Sequence, residues 1–173
     1  MAATAKVLRL RPFNEGDEAA AIALHHELKG EFEVLLGWDE QTTWCEYLRE
    51  VSDAHLGLNL KSEHVRAMLL AADHGGELVG RVSVRFALNE FLAWRGGHIG
   101  YAVAHAHRRR GLATAMLTQA LVIARAEGVT RVLMICDDTN IASATVIEHC
   151  GGVLERVVAA SLDDVAFRRY WID

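Results

Sequence analysis

Three consecutive arginines, Arg108, Arg109 and Arg110, stand directly before Gly111, Leu112, Ala113 and Thr114, where a strand-like apolar run gives way to a helix-like one. That placement suits an anion. The first N–H groups of a helix have no partner inside it, and the helix dipole adds partial positive charge there, so a phosphate is favoured at that end. Gly111 and Ala113 carry little or no side chain, which lets a bulky diphosphate approach the backbone. A Walker loop is excluded because no Gly-Lys-Ser/Thr follows, and a dinucleotide fingerprint because G-x-G-x-x-G is absent. What remains, Arg-x-x-Gly-x-Ala, reads as a pyrophosphate cradle, and on the arginines alone equally as a solvated basic patch.

Other chemistry-bearing residues say less. Nine histidines include the pairs His25-His26 and His105-x-His107, but neither pair is joined by a Cys or carboxylate cluster of metal-site spacing, so no metal is expected. Cys45, Cys136 and Cys150 match no metal knuckle or CxxC motif and read as thiols of a reducing compartment.

The elements that position the basic loop follow from periodicity. A short strand Val7–Arg11 stops at Pro12, the single proline. Asn14 caps a helix running to Gly30, and Thr42, ahead of Glu46, opens a second over Thr42–Val51, where Trp44, Tyr47, Leu48 and Val51 recur at helical spacing. An apolar run Val65–Ala72, a turn at Asp73-His74-Gly75-Gly76 and an alternating run Leu78–Leu88 form an antiparallel hairpin. A loop Asn89–Gly97 leads to a strand His98–Ala104, then the basic loop and an amphipathic helix ending at Gly128. Strand Arg131–Cys136, helix Asn140–His149 and strands Val153–Val158 and Val165–Trp171 complete the chain. This order predicts an α/β (α+β) fold: a mixed, mostly antiparallel sheet with helices on both faces, its parallel pair joined by the helix after Gly111.

Residues 1–173 read as a single domain with no repeat or linker. The chain is 51% apolar and 24% charged, which excludes global disorder. With 18 basic and 23 acidic residues the formal net charge is -5, the wrong sign for a nucleic-acid binder, so an anion must be held by a local patch. No apolar run reaches the roughly 20 residues that span a bilayer, and Met1–Lys6 has no secretion-signal layout, so the expected compartment is the cytoplasm.

The segment from His98 to Gly152 resembles the coenzyme A core of the GNAT superfamily of N-acetyltransferases, whose signature is Gln/Arg-x-x-Gly-x-Gly/Ala. Gly97-His98-Ile99-Gly100-Tyr101 before the loop resembles one bacterial branch of it. So do Cys136-Asp137-x-x-Asn140-Ile141-Ala142-Ser143, Gly151-Gly152, Leu36-Gly37-Trp38 and Leu88-Asn89-Glu90-Phe91. The resemblance implies a sheet splayed between the strands His98–Ala104 and Arg131–Cys136, with acetyl-CoA entering the split as cosubstrate and an amine approaching from the other side. It implies that backbone groups of Ala102, Val103 and Ala104 pair with the pantetheine arm. The amides of Arg108, Arg109, Arg110, Gly111, Leu112, Ala113 and Thr114 would wrap the pyrophosphate, Arg108 and Arg110 being the expected direct charge partners, with Asn140 near the thiol end. A monomer or homodimer is expected, and Trp38 is placed at the acceptor pocket.

Acetyl transfer to an amine needs a neutral amine, a polarised carbonyl and a path for the proton. Backbone N–H near Val103 is the expected oxyanion donor. Glu90 is the leading base, directly or through water, with His98, Tyr101 and Asp137 as the other candidates. The resemblance breaks at one place: the position of the family's proton-donating tyrosine, seven residues after Asn140, is Ile147. Ser143, solvent or an unprotonated departing thiolate must then serve, and a binding module that senses acyl-CoA without turnover stays open as an alternative.

Overall fold

The structure, a computed structural model, describes residues 7–159 and 165–173. Strand β1 is Leu8–Pro12, and the proline closes it. Asn14 accepts from Gly16 N–H and Asp17 answers by accepting from Asn14 N–H, a capping box that opens a single tight turn, Glu15–Asp17, before α1, Glu18–Glu27. The expected helix therefore divides at Asp17, whose carboxylate is already committed to Asn14 and to Arg11 at 2.7 Å.

Helix α2 is Trp44–Leu56. Its cap is Thr43, one residue beyond the expected Thr42. Thr43 and Glu46 have the S/T-x-x-E spacing and make both capping-box bonds, whereas Thr42 turns back to Asp39 through its N–H and hydroxyl. The helix also outruns its apolar pattern, which fades after Val51, and stops only at Gly57, where φ is +75. Thr43→Ala is expected to cost about 1 kcal/mol in a denaturant titration, with Thr42→Ala less damaging.

Strands β2, Ala67–His74, and β3, Leu78–Arg85, form the antiparallel hairpin. Its turn uses Gly75 and Gly76, both at positive φ, with Gly76 N–H donating to Asp73. The expected loop Asn89–Gly97 contains helical structure: Asn89 accepts from Leu92 N–H, and Gly97 N–H reaches back five residues to Leu92 C=O at 2.7 Å. One wide turn is too short for a periodic signal.

Then follow β4 Ile99–Val103, α3 Leu112–Ala126, β5 Val132–Asp137, α4 Ile141–His149, β6 Val153–Val158 and β7 Phe167–Ile172. The strands make two antiparallel sheets, in the orders β1-β2-β3-β4 and β5-β7-β6. Alternation along β3 and β4 sorts side chains onto two layers. Val82, Val84, Ile99 and Val103 lie in the core with Leu112, Met116, Leu117 and Ala120 of α3 and Ala144 and Ile147 of α4. Ala102 and Ala104 lie in the opposite core, with Leu24 of α1, Leu28 just after it, and Trp44 and Tyr47 of α2. Helices thus cover both faces. Tyr170 of β7 is fully buried with its hydroxyl donating to Glu148.

Candidate active site at the open edge of β4

Helix α3 starts without a side-chain cap. Its N-cap is Gly111, at φ +74. The first helical bond runs from Ala115 N–H to Gly111 C=O at 3.1 Å, so the N–H groups of Leu112, Ala113 and Thr114 have no acceptor inside the helix. A Cβ built on Gly111 meets nothing within 4 Å, so the space before these amides is open. Arg109 is also left-handed, at φ +60, a backbone state that recurs in anion-binding nests.

The three arginines differ in their commitments. Arg109 and Arg110 are exposed, and among the described residues Arg110 meets the neighbouring His107 ring, at 3.1 Å. Arg108 is a strut: its Nε donates to Val103 C=O at 3.1 Å and its Nη2 to Glu31 at 2.9 Å. Glu31 also meets His105 Nε2 at 2.7 Å, and the hydrogen bonds from Arg108 and His105 hold its carboxyl below the usual range. Glu27 accepts from His105 N–H at 2.6 Å. The end of α1 is thereby pinned to the end of β4, and the cations at the helix entrance without a carboxylate partner among the described residues are Arg109 and Arg110.

Strand β4 offers one unpaired edge. Arg85 N–H donates to His98 C=O at 2.7 Å and Ala104 N–H to Val79 C=O at 2.9 Å. In the register Ser83↔Gly100 and Arg81↔Ala102, residues of this parity spend their backbone groups on β3. Ala102 and Ala104, expected to serve a ligand, are thus turned inward. Tyr101 and Val103 have the other parity, and their backbone groups face β5. Arg108 already occupies Val103 C=O, leaving its N–H as the donor on that edge.

The two sheets touch at the far end of β4. His98 N–H donates to Leu133 C=O at 2.8 Å, and Leu133 N–H donates to His98 Nδ1 at 2.9 Å. His98 is 8% exposed, and burial together with the nearby Arg85 charge pushes its pKa down. With Nδ1 accepting, the neutral ring carries its proton on Nε2. His98, a candidate base, is instead a clasp that closes the split at one end while Tyr101 and Val103 line the part not paired in a ladder.

Tyr101 crosses that gap. Its hydroxyl lies 2.9 Å from Ser143 Oγ, and burial pushes its pKa up to about 12. Asn140 caps α4 by accepting from Ser143 N–H at 3.0 Å, so Asn140 and Ser143 are held together at that helix start. Burial also pushes the Cys136 thiol up to about 11, which leaves it protonated and unreactive at neutral pH. Ile147 is wholly buried in the core. Asp137 is paired with Arg95 at 2.8 Å, and Glu90 is exposed in the segment between β3 and β4, on the clasp side of the sheet. Trp38 packs on His25 and His26. His25 Nδ1 accepts from Leu35 N–H, so its partner is the backbone.

Sequence reasoning missed Arg81. Only 2% exposed at the centre of β3, it has Phe32 under its guanidinium at 4.3 Å and donates to Ser83 at 2.9 Å and to Glu33 C=O. A charged residue between Val79 and Val82 in a strand buried on both faces was the available signal.

A description of the acetyltransferase (GNAT) domain matches residues 8–153, and the chain belongs to that family. No curated protein matches it. Among solved structures, it is similar to Mycobacterium smegmatis RimJ in complex with CoA-disulfide, at 21% identity and a TM-score of 0.70, over 95% of this chain and 81% of that one. It is also similar to the Microcin C7 self-immunity acetyltransferase MccE in complex with acetyl-CoA and AMP, at 17% identity and 0.68, over 95% and 91%. A Salmonella typhimurium acetyl transferase that modifies the N-terminal serine of a 50S ribosomal subunit protein aligns at 23% identity and 0.67, over 99% and 97%. Among the described residues no helix is long and apolar enough to cross a membrane.

Proposed function

We propose that the chain transfers an acetyl group from acetyl-CoA to a primary amine of a small molecule or peptide, by direct attack in a ternary complex. The observation that carries this reading is the unpaired edge at Tyr101 and Val103 lying beside the uncapped start of α3. A pantetheine arm has amides that pair with such an edge, and a diphosphate fits the amides from Arg109 through Thr114, with Arg109 and Arg110 supplying charge. Arg108 shapes the loop from behind. Asn140 sits at the thiol end.

The neutral amine attacks the thioester carbonyl, Val103 N–H stabilises the oxyanion, the C–S bond breaks, and the ammonium proton leaves through water to Glu90. The departing thiolate accepts a hydrogen bond from the Ser143 hydroxyl, which Tyr101 orients, and takes its proton from water. Ser143→Ala is expected to lower kcat by about 100-fold with the acetyl-CoA KM little changed. Tyr101→Phe, which leaves Ser143 in place, should lower it less. The single-domain arrangement over residues 1–173 and work in a reducing cytoplasm, where Cys45, Cys136 and Cys150 stay free, complete the proposal.

Ile147 favours a second reading, an acyl-CoA sensor without turnover, because it carries no proton at the family's tyrosine position. Thiol release from acetyl-CoA across a panel of amines separates the two. Release above the amine-free background is expected. Tight acetyl-CoA binding with no release from any amine would establish the sensor instead.

A further inference from the structure

The layer beneath α1 and α2 holds buried polar groups with nothing to bond. Arg81 Nε, Trp38 Nε1 and the Tyr47 hydroxyl are all buried and without a hydrogen-bond partner among the described residues. Native interiors leave few such groups, and each calls for an explanation. Arg81 is the most costly of the three. Its guanidinium is charged at neutral pH, buried, and without a carboxylate ion pair among the described residues. The nearest acid in sequence to its carbonyl partner, Glu33, is exposed and accepts from Gly37 N–H instead.

The position of Arg81 relates it to the split. In register with Ala102, it places Nη1 3.8 Å from where a Cβ of Gly100 would stand, and Gly100 lies between Ile99 and Tyr101 on β4. The guanidinium is therefore close to the open edge but on the α1 and α2 side, away from α3. Above it, Phe32 covers Arg81 and also lines a surface hollow of about 450 Å³ with His25, Lys29 and Trp38. That volume suits a small molecule. It does not suit a folded protein surface, because Arg81 lies beneath the Phe32 ring.

We propose that Arg81 is the recognition site for a carboxylate on the acceptor, so that the acceptor is a small amino carboxylate, a free amino acid, with its amine directed to the split. This deepens the acetyltransferase reading and rests on it. The guanidinium fork accepts a carboxylate through two parallel N–H···O bonds, and Nε is the donor already open for one of them. Binding replaces the Glu33 carbonyl on Nη2 and displaces the Phe32 ring toward the hollow. Lys29 lines the hollow together with Glu31 and Glu33, so the attraction for a carboxylate comes from the Arg81 guanidinium and not from the rim.

The test offers free amino acids and the matching carboxamides to the full chain, with and without coenzyme A, and reads binding by thermal shift. Wild type, Arg81→Met and Arg81→Lys are compared. At least one amino acid is expected to bind wild type about 30-fold or more tightly than its carboxamide, in line with a buried charged hydrogen bond. Arg81→Met should lose that preference while keeping its shift with acetyl-CoA, and Arg81→Lys should retain only part of it. If Arg81→Met does not fold, Arg81→Lys and the wild-type carboxamide comparison decide. No preference for any carboxylate in wild type, or an unchanged preference in Arg81→Met, overturns the assignment. A carboxylate preference in protein that does not respond to acetyl-CoA upholds Arg81 and defeats the transferase reading.

Discussion

Gly111→Glu is expected to abolish acetyl-CoA binding, raising Kd by at least about 100-fold, while the chain still folds. Gly111 occupies a left-handed backbone state at φ +74, so any L side chain there costs about 1–2 kcal/mol. That cost is local, because a Cβ at Gly111 meets no atom within 4 Å. The glutamate side chain projects into the open space before the Leu112, Ala113 and Thr114 amides, where it takes the donors and places negative charge at the phosphate position. Isothermal titration with acetyl-CoA reads the effect, and circular dichroism checks the fold. Gly111→Ala, which adds only the methyl, should bind more weakly than wild type but measurably. Wild-type affinity in Gly111→Glu would place the diphosphate elsewhere.

His98→Ala is expected to be the most destabilising substitution near the site, by about 3 kcal/mol. It removes the acceptor of a buried Leu133 N–H, which costs about 1–3 kcal/mol, and leaves a cavity where a ring was packed. For a chain of this length the loss corresponds to about 6–12 °C in Tm. His98→Asn, whose side-chain carbonyl can accept the same N–H, should recover part of it.

The pH dependence of that clasp follows from burial and from Arg85, which together lower the folded-state pKa of His98. Above the unfolded value of about 6.5 both states are neutral and stability is unaffected. As pH falls below it, the unfolded chain binds a proton that the folded ring resists, so stability declines. The difference in stability between wild type and His98→Asn should therefore narrow from pH 7.5 to pH 5. A constant difference would mean that His98 does not titrate in the unfolded chain alone.

How much of this could be read from the sequence depended on how local each feature is. The basic loop was legible because Arg108, Arg109, Arg110 and Gly111 interrupt a clear change of period, from the alternation before Ala104 to the helical face beginning at Leu112. Helix α2 was legible in kind but not in its ends. Two adjacent threonines compete for one cap, and the helix runs to Leu56 because Gly57 stops it, not because apolar residues continue.

Pairings across the fold were not legible. Tyr101 and Ser143 are 42 residues apart, as the 2.9 Å bond between them shows, and Arg108 meets Glu31 across 77. Strand parity settles which β4 residues face the split, but only once the register with β3 is known, so Tyr101 replaces Ala102 on that edge. Arg81 stayed hidden for a related reason. In sequence it is one arginine among many, and its meaning comes from burial under Phe32 without a counter-ion. The acidic net charge of -5 describes the surface and says nothing of this interior cation.

The central claim is that the edge of β4 and the start of α3 together hold acetyl-CoA. Thermal unfolding of the purified chain, with acetyl-CoA at about 100 times its Kd, tests it most directly. Selective binding to the folded state at that excess adds about 2.7 kcal/mol, which for this length raises Tm by about 5–10 °C. A Tm unmoved by saturating acetyl-CoA would contradict the account.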